Sequence, residues 1–150
     1  MTVLTEAEGR KAVDSAARSW VGTPYRNCAS VKGQGVDCGM LLREVFVEAG
    51  VVPPFDVPPY SPQYFLHHAE EEYLSYVLSR AREIKISDVK CGDVAVYKIG
   101  KCFAHGAIVI EPGWPNVIHA HAASRVVRRA SGTALHLGDT INEVKFFSCW

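Results

Sequence analysis

The sequence has no apolar run approaching the length needed to cross a bilayer, so no membrane span is expected. It has no charge excess either: 16 basic side chains cancel 16 acidic ones. The basic footprint that favours nucleic acid is missing, and nucleic acid is not expected as a partner. Its five cysteines, Cys28, Cys38, Cys91, Cys102 and Cys149, are an odd set without paired spacing. That argues against a disulfide framework and for free thiols in a reducing compartment. Residues Met1 to Glu8 are acidic and poor in apolar side chains, unlike a secretory signal. Synthesis in the cytoplasm is the expectation. The sequence also lacks internal repeats and low-complexity tracts.

What is present is ordinary globular material: 150 residues, 48% hydrophobic and 21% charged, enough for a single domain over 1–150 with its own core. Thr5 and Glu8 fit a capping box for a first helix, with Val13, Ala16, Ala17 and Trp20 at helical spacing. Gly22-Thr23-Pro24 ends it. Residues 26–36, with Gly33 and Gly35, read as a loop. A second helix is expected from near Asp37 to Ala49, with Leu41, Leu42, Val45 and Phe46 on its apolar stripe and Gly50 at its end. The proline-rich stretch Val52–Pro59 reads as a surface excursion. Ser61-Pro62 opens a third helix whose stripe, through Leu66, Ala69, Tyr73, Val77 and Ala81, runs down to Arg82.

After Ile84 the pattern changes. Val94–Ile99, Ala104–Ile110, Val117–Ala122, Arg125–Arg129 and Glu143–Phe147 are short, β-rich and separated by turn residues. Helices first and strands afterwards imply an α+β domain, with N-terminal helices packed on a central antiparallel sheet.

Cys38 lies where a glycine-containing loop meets the second helix, in Gly35-Val36-Asp37-Cys38-Gly39. A helix N-terminus offers unpaired N–H groups and the positive end of the dipole, which favour a thiolate. Asp37 suits the cap, and Gly39 leaves room above the sulfur. A thiol nucleophile needs an imidazole, and the imidazole an orienting partner. His105 opens an otherwise apolar strand. His119 and His121, two apart on a strand, face the same way, and periodicity leaves open which of them would orient His105. Each of these residues, taken alone, also fits a bland packing role.

Taken in order, Gly22-Thr23-Pro24-Tyr25, Asp37-Cys38, Gly92-Asp93, His105-Gly106 and Ile118-His119-Ala120 resemble the NlpC/P60 cysteine peptidases in identity, order and spacing, across roughly residues 10–125. The resemblance implies a papain-like α+β fold, with Cys38 as nucleophile, His105 as general base and His119 as the residue orienting it. It also implies that the Tyr25 hydroxyl lies near the nucleophile, able to bind an oxyanion together with the Cys38 N–H. Two positions depart from the family pattern: Gly39 stands where many members carry serine, and Cys91 where proline commonly precedes Gly-Asp. The stretch from Thr23 to Gly35 looks like the phage-associated branch, which includes tail-linked peptidases of phages and gene transfer agents.

The implied substrate is a peptidoglycan peptide, typically cut between D-glutamate and a diamino acid, with no cofactor or metal. The implied partners are phage-tail-like proteins, and the implied place of action is the periplasmic cell wall, reached on a virion-like particle. Three other readings stand beside this one. One is a thiol amidase or acyltransferase on another acyl substrate, against which the missing hydrophobic anchor speaks for lipids. Another is a zinc site from Cys102, His105, His119 and His121. The third is a structural tail adaptor with a vestigial peptidase fold. His67, His68 and His136 read as solvated, and Trp20, Trp114 and Trp150 as packing. Arg125, Arg128 and Arg129 form a basic cluster that is either a wet face or a meeting point for a carboxylate-rich peptide.

Overall fold

The computed structural model describes residues 3–58, 72–135, 137 and 143–150, the side chains of 72–74 excepted. Helix α1 (Glu6–Ser19) opens on the expected box: Thr5 Oγ1 accepts from the Glu8 N–H and Glu8 Oε2 accepts from the Thr5 N–H. Its buried face is Val13, Ala16 and Ala17, small enough for close packing, with Trp20 buried at the C-cap. The expected loop over residues 26–36 contains a short hairpin, β1 (Ser30–Val31) and β2 (Gly35–Val36). Two-residue strands are too short to show alternation, so periodicity misses them. Lys32 at the hairpin tip bonds to Ser19 Oγ and Glu48 Oε1, each at 2.7 Å, and ties the hairpin to both helices.

Helix α2 (Cys38–Glu48) follows directly, capped by Asp37, whose Oδ1 accepts from the Met40 N–H at 2.9 Å. Leu41, Leu42, Val45 and Phe46 are buried, and Gly50 adopts φ +75° past the Ala49 C-cap, as a helix exit of this type requires. Of the expected third helix, residues 61–71 lie outside the described ones. Helix α3 (Glu72–Leu78) is its observed part, and it stops short of Arg82. Arg82–Ile84 is instead strand β3, an edge strand held by backbone pairing to Phe146–Ser148 rather than by an apolar face of its own.

Strands β4 (Val94–Ile99), β5 (Cys102–Val109), β6 (Asn116–His121), β7 (Val126–Ser131) and β8 (Val144–Ser148) match the expected five within a few residues. With β3 they form one antiparallel sheet in the order β3-β8-β4-β5-β6-β7. The expected α+β architecture is the observed one. One sheet face, with Val94, Val96, Phe103, Ile108, Ile118 and Phe147, packs with α1 and α2. The other, with Ala95, Tyr97, Ala107, Val109 and Phe146, lies under Trp114 and Leu135. Strand β5 is buried along its whole length.

Gly92-Asp93, part of the recognised pattern, holds α1 to the sheet. Asp93 is fully buried and accepts from Arg10 Nη1 at 2.8 Å and from the Lys90 N–H at 2.8 Å. Arg10 also donates to the Cys91 carbonyl and stacks over Trp150. Gly92, at φ +91°, brings its backbone so close that an added Cβ would sit 3.1 Å from Arg10 Cα. Removing the arginine leaves a buried carboxylate without its cation. Arg10→Ala is therefore expected to cost about 3–5 kcal/mol in urea unfolding, with Arg10→Ala/Asp93→Ala losing less than the summed single effects.

Two irregularities of β5 place the site. Its ladder with β4 shifts register between Tyr97 and Lys98, which face His105 and Phe103, so Ala104 is an extra, bulged residue. Its pairing with β6 covers only Ile108 and Val109. The β5 edge around His105 is left to another partner, and the first turn of α2 occupies that place.

Candidate active site

Cys38 is the first residue of α2 and is 9% exposed. Its thiol donates to the Ala104 carbonyl at 3.6 Å, and the N–H of Gly106, on the same strand edge, also points at the sulfur. The two backbone groups flanking His105 thus both reach Sγ. The N–H groups of Gly39 and Cys38 itself also point at it. Gly106 was not singled out by sequence reasoning as a sulfur contact. A glycine inside an apolar strand, which often marks a close backbone approach, was the signal for it.

Tyr25 is brought to the same place by a different part of the chain. Pro24 bridges to Val126, Tyr25 bridges to Val36, and the Tyr25 N–H donates to the Arg125 carbonyl at 2.9 Å. Its hydroxyl lies within hydrogen-bonding reach of both the Cys38 sulfur and the Cys38 N–H. Asp37 is buried behind the cap, its second oxygen accepting from the Cys28 N–H at 2.7 Å.

His105 Nε2 and His119 Nδ1 are 2.8 Å apart, with the rings edge to face. His105 is 5% and His119 2% exposed. The alternative that periodicity left open resolves on this contact: His119 meets His105. His121 lies beside His119 on the same face, ring centroids 5.1 Å apart, and bonds through Nδ1 to Ser124 Oγ. Because His105 Nε2 is engaged by His119, Nδ1 is the ring nitrogen left for chemistry. The five residues read from the sequence, Tyr25, Asp37, Cys38, His105 and His119, fall within one region.

The ionisation state departs from the sequence expectation. Burial, followed by the neighbouring Asp37 carboxylate, pushes the Cys38 thiol up to about 12, against the pull of the three N–H groups. A helix terminus favours an anion by up to about 2 kcal/mol, whereas full burial costs an ion several kcal/mol. Burial is the larger effect, so the Cys38 thiol is harder to ionise than its place at a helix start alone implies. Burial also raises Tyr25, with the Cys38 and Asp37 charges adding to it. Burial, then His119 and His121, holds His105 well below the ordinary histidine range. Burial, then His121 and Arg128, lowers His119 to about 4. Both imidazoles are neutral at pH 7.

This has a consequence for acid stability. A histidine with a lowered folded-state pKa takes up its proton more readily when unfolded, so stability rises with pH across the interval. The His119 contribution is complete above about 6.5 and is lost as pH falls towards about 4. It amounts to about 3 kcal/mol. Urea unfolding at pH 7 and pH 4 is expected to show at least that loss, and His119→Gln to reduce it.

Among the described residues, no group of three or more histidine, cysteine or acidic side chains is arranged to hold a metal ion. The zinc reading gains nothing from the geometry. His67, His68 and His136 lie outside the described residues. Trp20 and Trp114 pack into the two cores, as expected. No described helix is long and apolar enough to cross a membrane.

No protein-family model matches the chain. No curated protein matches it. Solved structures do match in fold. The NlpC/p60 domain of the peptidoglycan hydrolase SagA superposes with a TM-score of 0.61 at 21% identity, covering 91% of this chain and 96% of that one. The peptidoglycan hydrolase RipB from Mycobacterium tuberculosis gives 0.59 at 17% identity, over 97% and 68% of the two chains. NlpC2 from Trichomonas vaginalis gives 0.66 at 14% identity, over 97% of this chain but 47% of that one. At these identities the likeness is one of fold: this chain has the architecture of NlpC/P60 domains.

Proposed function

We propose that this chain is a cysteine peptidase that hydrolyses amide bonds in peptidoglycan peptides, with Cys38 as nucleophile, His105 as general base and His119 as its positioning partner. The observation that carries the reading is the meeting of three separate chain segments at one sulfur. The α2 N-terminus supplies the thiol, the bulged β5 edge supplies both backbone groups around His105, and Tyr25 supplies a hydroxyl. SagA and RipB, which share the fold, are described as peptidoglycan hydrolases.

The chemistry starts from a neutral pair. His105 Nδ1 takes the Cys38 proton as the sulfur attacks the amide carbon, which requires the resting His105 proton to be on Nε2, donated to His119 Nδ1. His119 thereby fixes the tautomer and stabilises the imidazolium once it forms. The oxyanion meets the Cys38 N–H and the Tyr25 hydroxyl, which already lie side by side. Protonated His105 then gives its proton to the leaving amine, and the acyl thioester is opened by water that His105 deprotonates. Starting from a thiol costs the step more than starting from a thiolate, and a low-dielectric site offsets this by strengthening each of these hydrogen bonds.

The finer reading is a cut between D-glutamate and a diamino acid, by a component of a phage or gene-transfer-agent tail that opens the wall for particle entry. The bond rests on the resemblance to the NlpC/P60 peptidases, and the tail role on the Thr23–Gly35 stretch. Mass spectrometry of stem peptides after incubation with the purified protein tests the activity: paired fragments with a new amine and a new carboxylate are expected. Intact peptides after prolonged incubation at several pH values would remove the peptidase reading.

One observation favours a second reading. A thiol at 9% exposure, with its pKa raised to about 12, also suits a structural tail adaptor that has kept the fold without the activity. Intact stem peptides together with retained assembly into tail particles would support that alternative.

A further inference from the structure

The rim of the site carries an arginine whose position the proposed chemistry does not use. In the β6–β7 ladder, Arg128 is the direct partner of His119. Directly paired residues of an antiparallel ladder project from the same face, with Cβ atoms about 5 Å apart. Arg128 therefore rises from the face that carries His119 and His121, and it is exposed. Its Nη1 donates to Ser124 Oγ at 3.2 Å, and Ser124 is also the partner of His121 Nδ1. One hydroxyl thus holds the guanidinium beside the histidine cluster.

The charges around this cluster are one-sided. Among the described residues, Arg128 makes no salt bridge with a carboxylate. The acid next to the nucleophile, Asp37, is buried and already accepts from two N–H groups. An exposed guanidinium tethered by Ser124 beside these histidines presents donors in the planar fork that suits a carboxylate.

We infer that Arg128 binds a free carboxylate of the substrate next to the scissile amide, so that acidic stem peptides are preferred over those in which this carboxylate is a carboxamide. The inference rests on the peptidase reading and names the substrate feature that its site selects. Arg128 touches substrate but moves no proton, so its effect falls on recognition.

The experiment is a calorimetric titration of the Cys38→Ala protein, which binds without turnover. The two probes are synthetic stem peptides, one with a free α-carboxylate on the residue whose side-chain amide is cleaved, the other with that group as carboxamide. The acid is expected to bind about tenfold more tightly. In Cys38→Ala/Arg128→Gln the preference is expected to fall to within about twofold, with the loss falling chiefly on the acid peptide and the thermal midpoint unchanged. Equal binding of both peptides to Cys38→Ala, or a preference that survives Arg128→Gln, overturns the inference and leaves the peptidase reading standing. Binding of neither peptide overturns both.

Discussion

Replacing Cys38 with alanine is expected to slow stem-peptide hydrolysis by about 10,000-fold or more, and His105→Ala to do nearly the same. The reason is shared: the sulfur is not activated without the base, and without the sulfur there is no acyl thioester for the water that His105 deprotonates to open. The Cys38→Ala/His105→Ala protein is accordingly expected to be no slower than either single variant. Additive losses would mean that the two groups act in separate steps. Cys38 is a small side chain in a backbone-lined niche, so its loss is expected to leave the unfolding midpoint nearly unchanged, separating catalysis from folding. His119→Ala is expected to lose less, because it removes orientation while leaving nucleophile and base in place.

Alkylation of Cys38 by iodoacetamide is expected to accelerate about tenfold per pH unit between pH 6 and 9, a thousandfold in all. The thiolate is the reacting species, and with a pKa raised to about 12 its fraction grows tenfold with each unit throughout that range. A thiolate–imidazolium pair would instead give a rate nearly flat across neutral pH. Peptide mapping separates Cys38 from half-buried Cys28 and Cys149. Hydrolysis has the complementary signature. Its acid limb belongs to histidines held below the ordinary range, so kcat/KM is expected to hold from pH 8 down past 6 before falling.

What could be read from the sequence was local. Asp37 before an apolar stripe states a helix start, because cap chemistry needs only residues within one turn, and it put Cys38 at that start. Short β-rich runs between turn residues state the strands β4 to β8, and the period of two puts His119 and His121 on one face. Arg82–Ile84 carries no such pattern, because an edge strand is held by backbone bonds to β8 that any side chains permit. The bulge at Ala104 was equally silent, yet it sets where His105 points. The upward shift of the Cys38 thiol is not legible in the sequence for a related reason. The helix terminus that favours a thiolate is a local feature, whereas the burial that outweighs it comes from β5, some 66 residues along the chain.

The arginine cluster shows the same division. Composition alone could not separate Arg125, Arg128 and Arg129. The ladder register distinguishes them, since Arg128 faces His119 while Arg129 faces Ile118 on the opposite side of the sheet.

The most direct test uses a stem peptide whose scissile amide is replaced by a chloromethyl ketone, followed by intact-mass and peptide mapping. A single adduct on Cys38, formed far more slowly in folded His105→Ala, is the expected outcome. Absence of an adduct, or labelling spread over Cys28 and Cys149 while Cys38 stays free, would show that no substrate carbonyl reaches this sulfur.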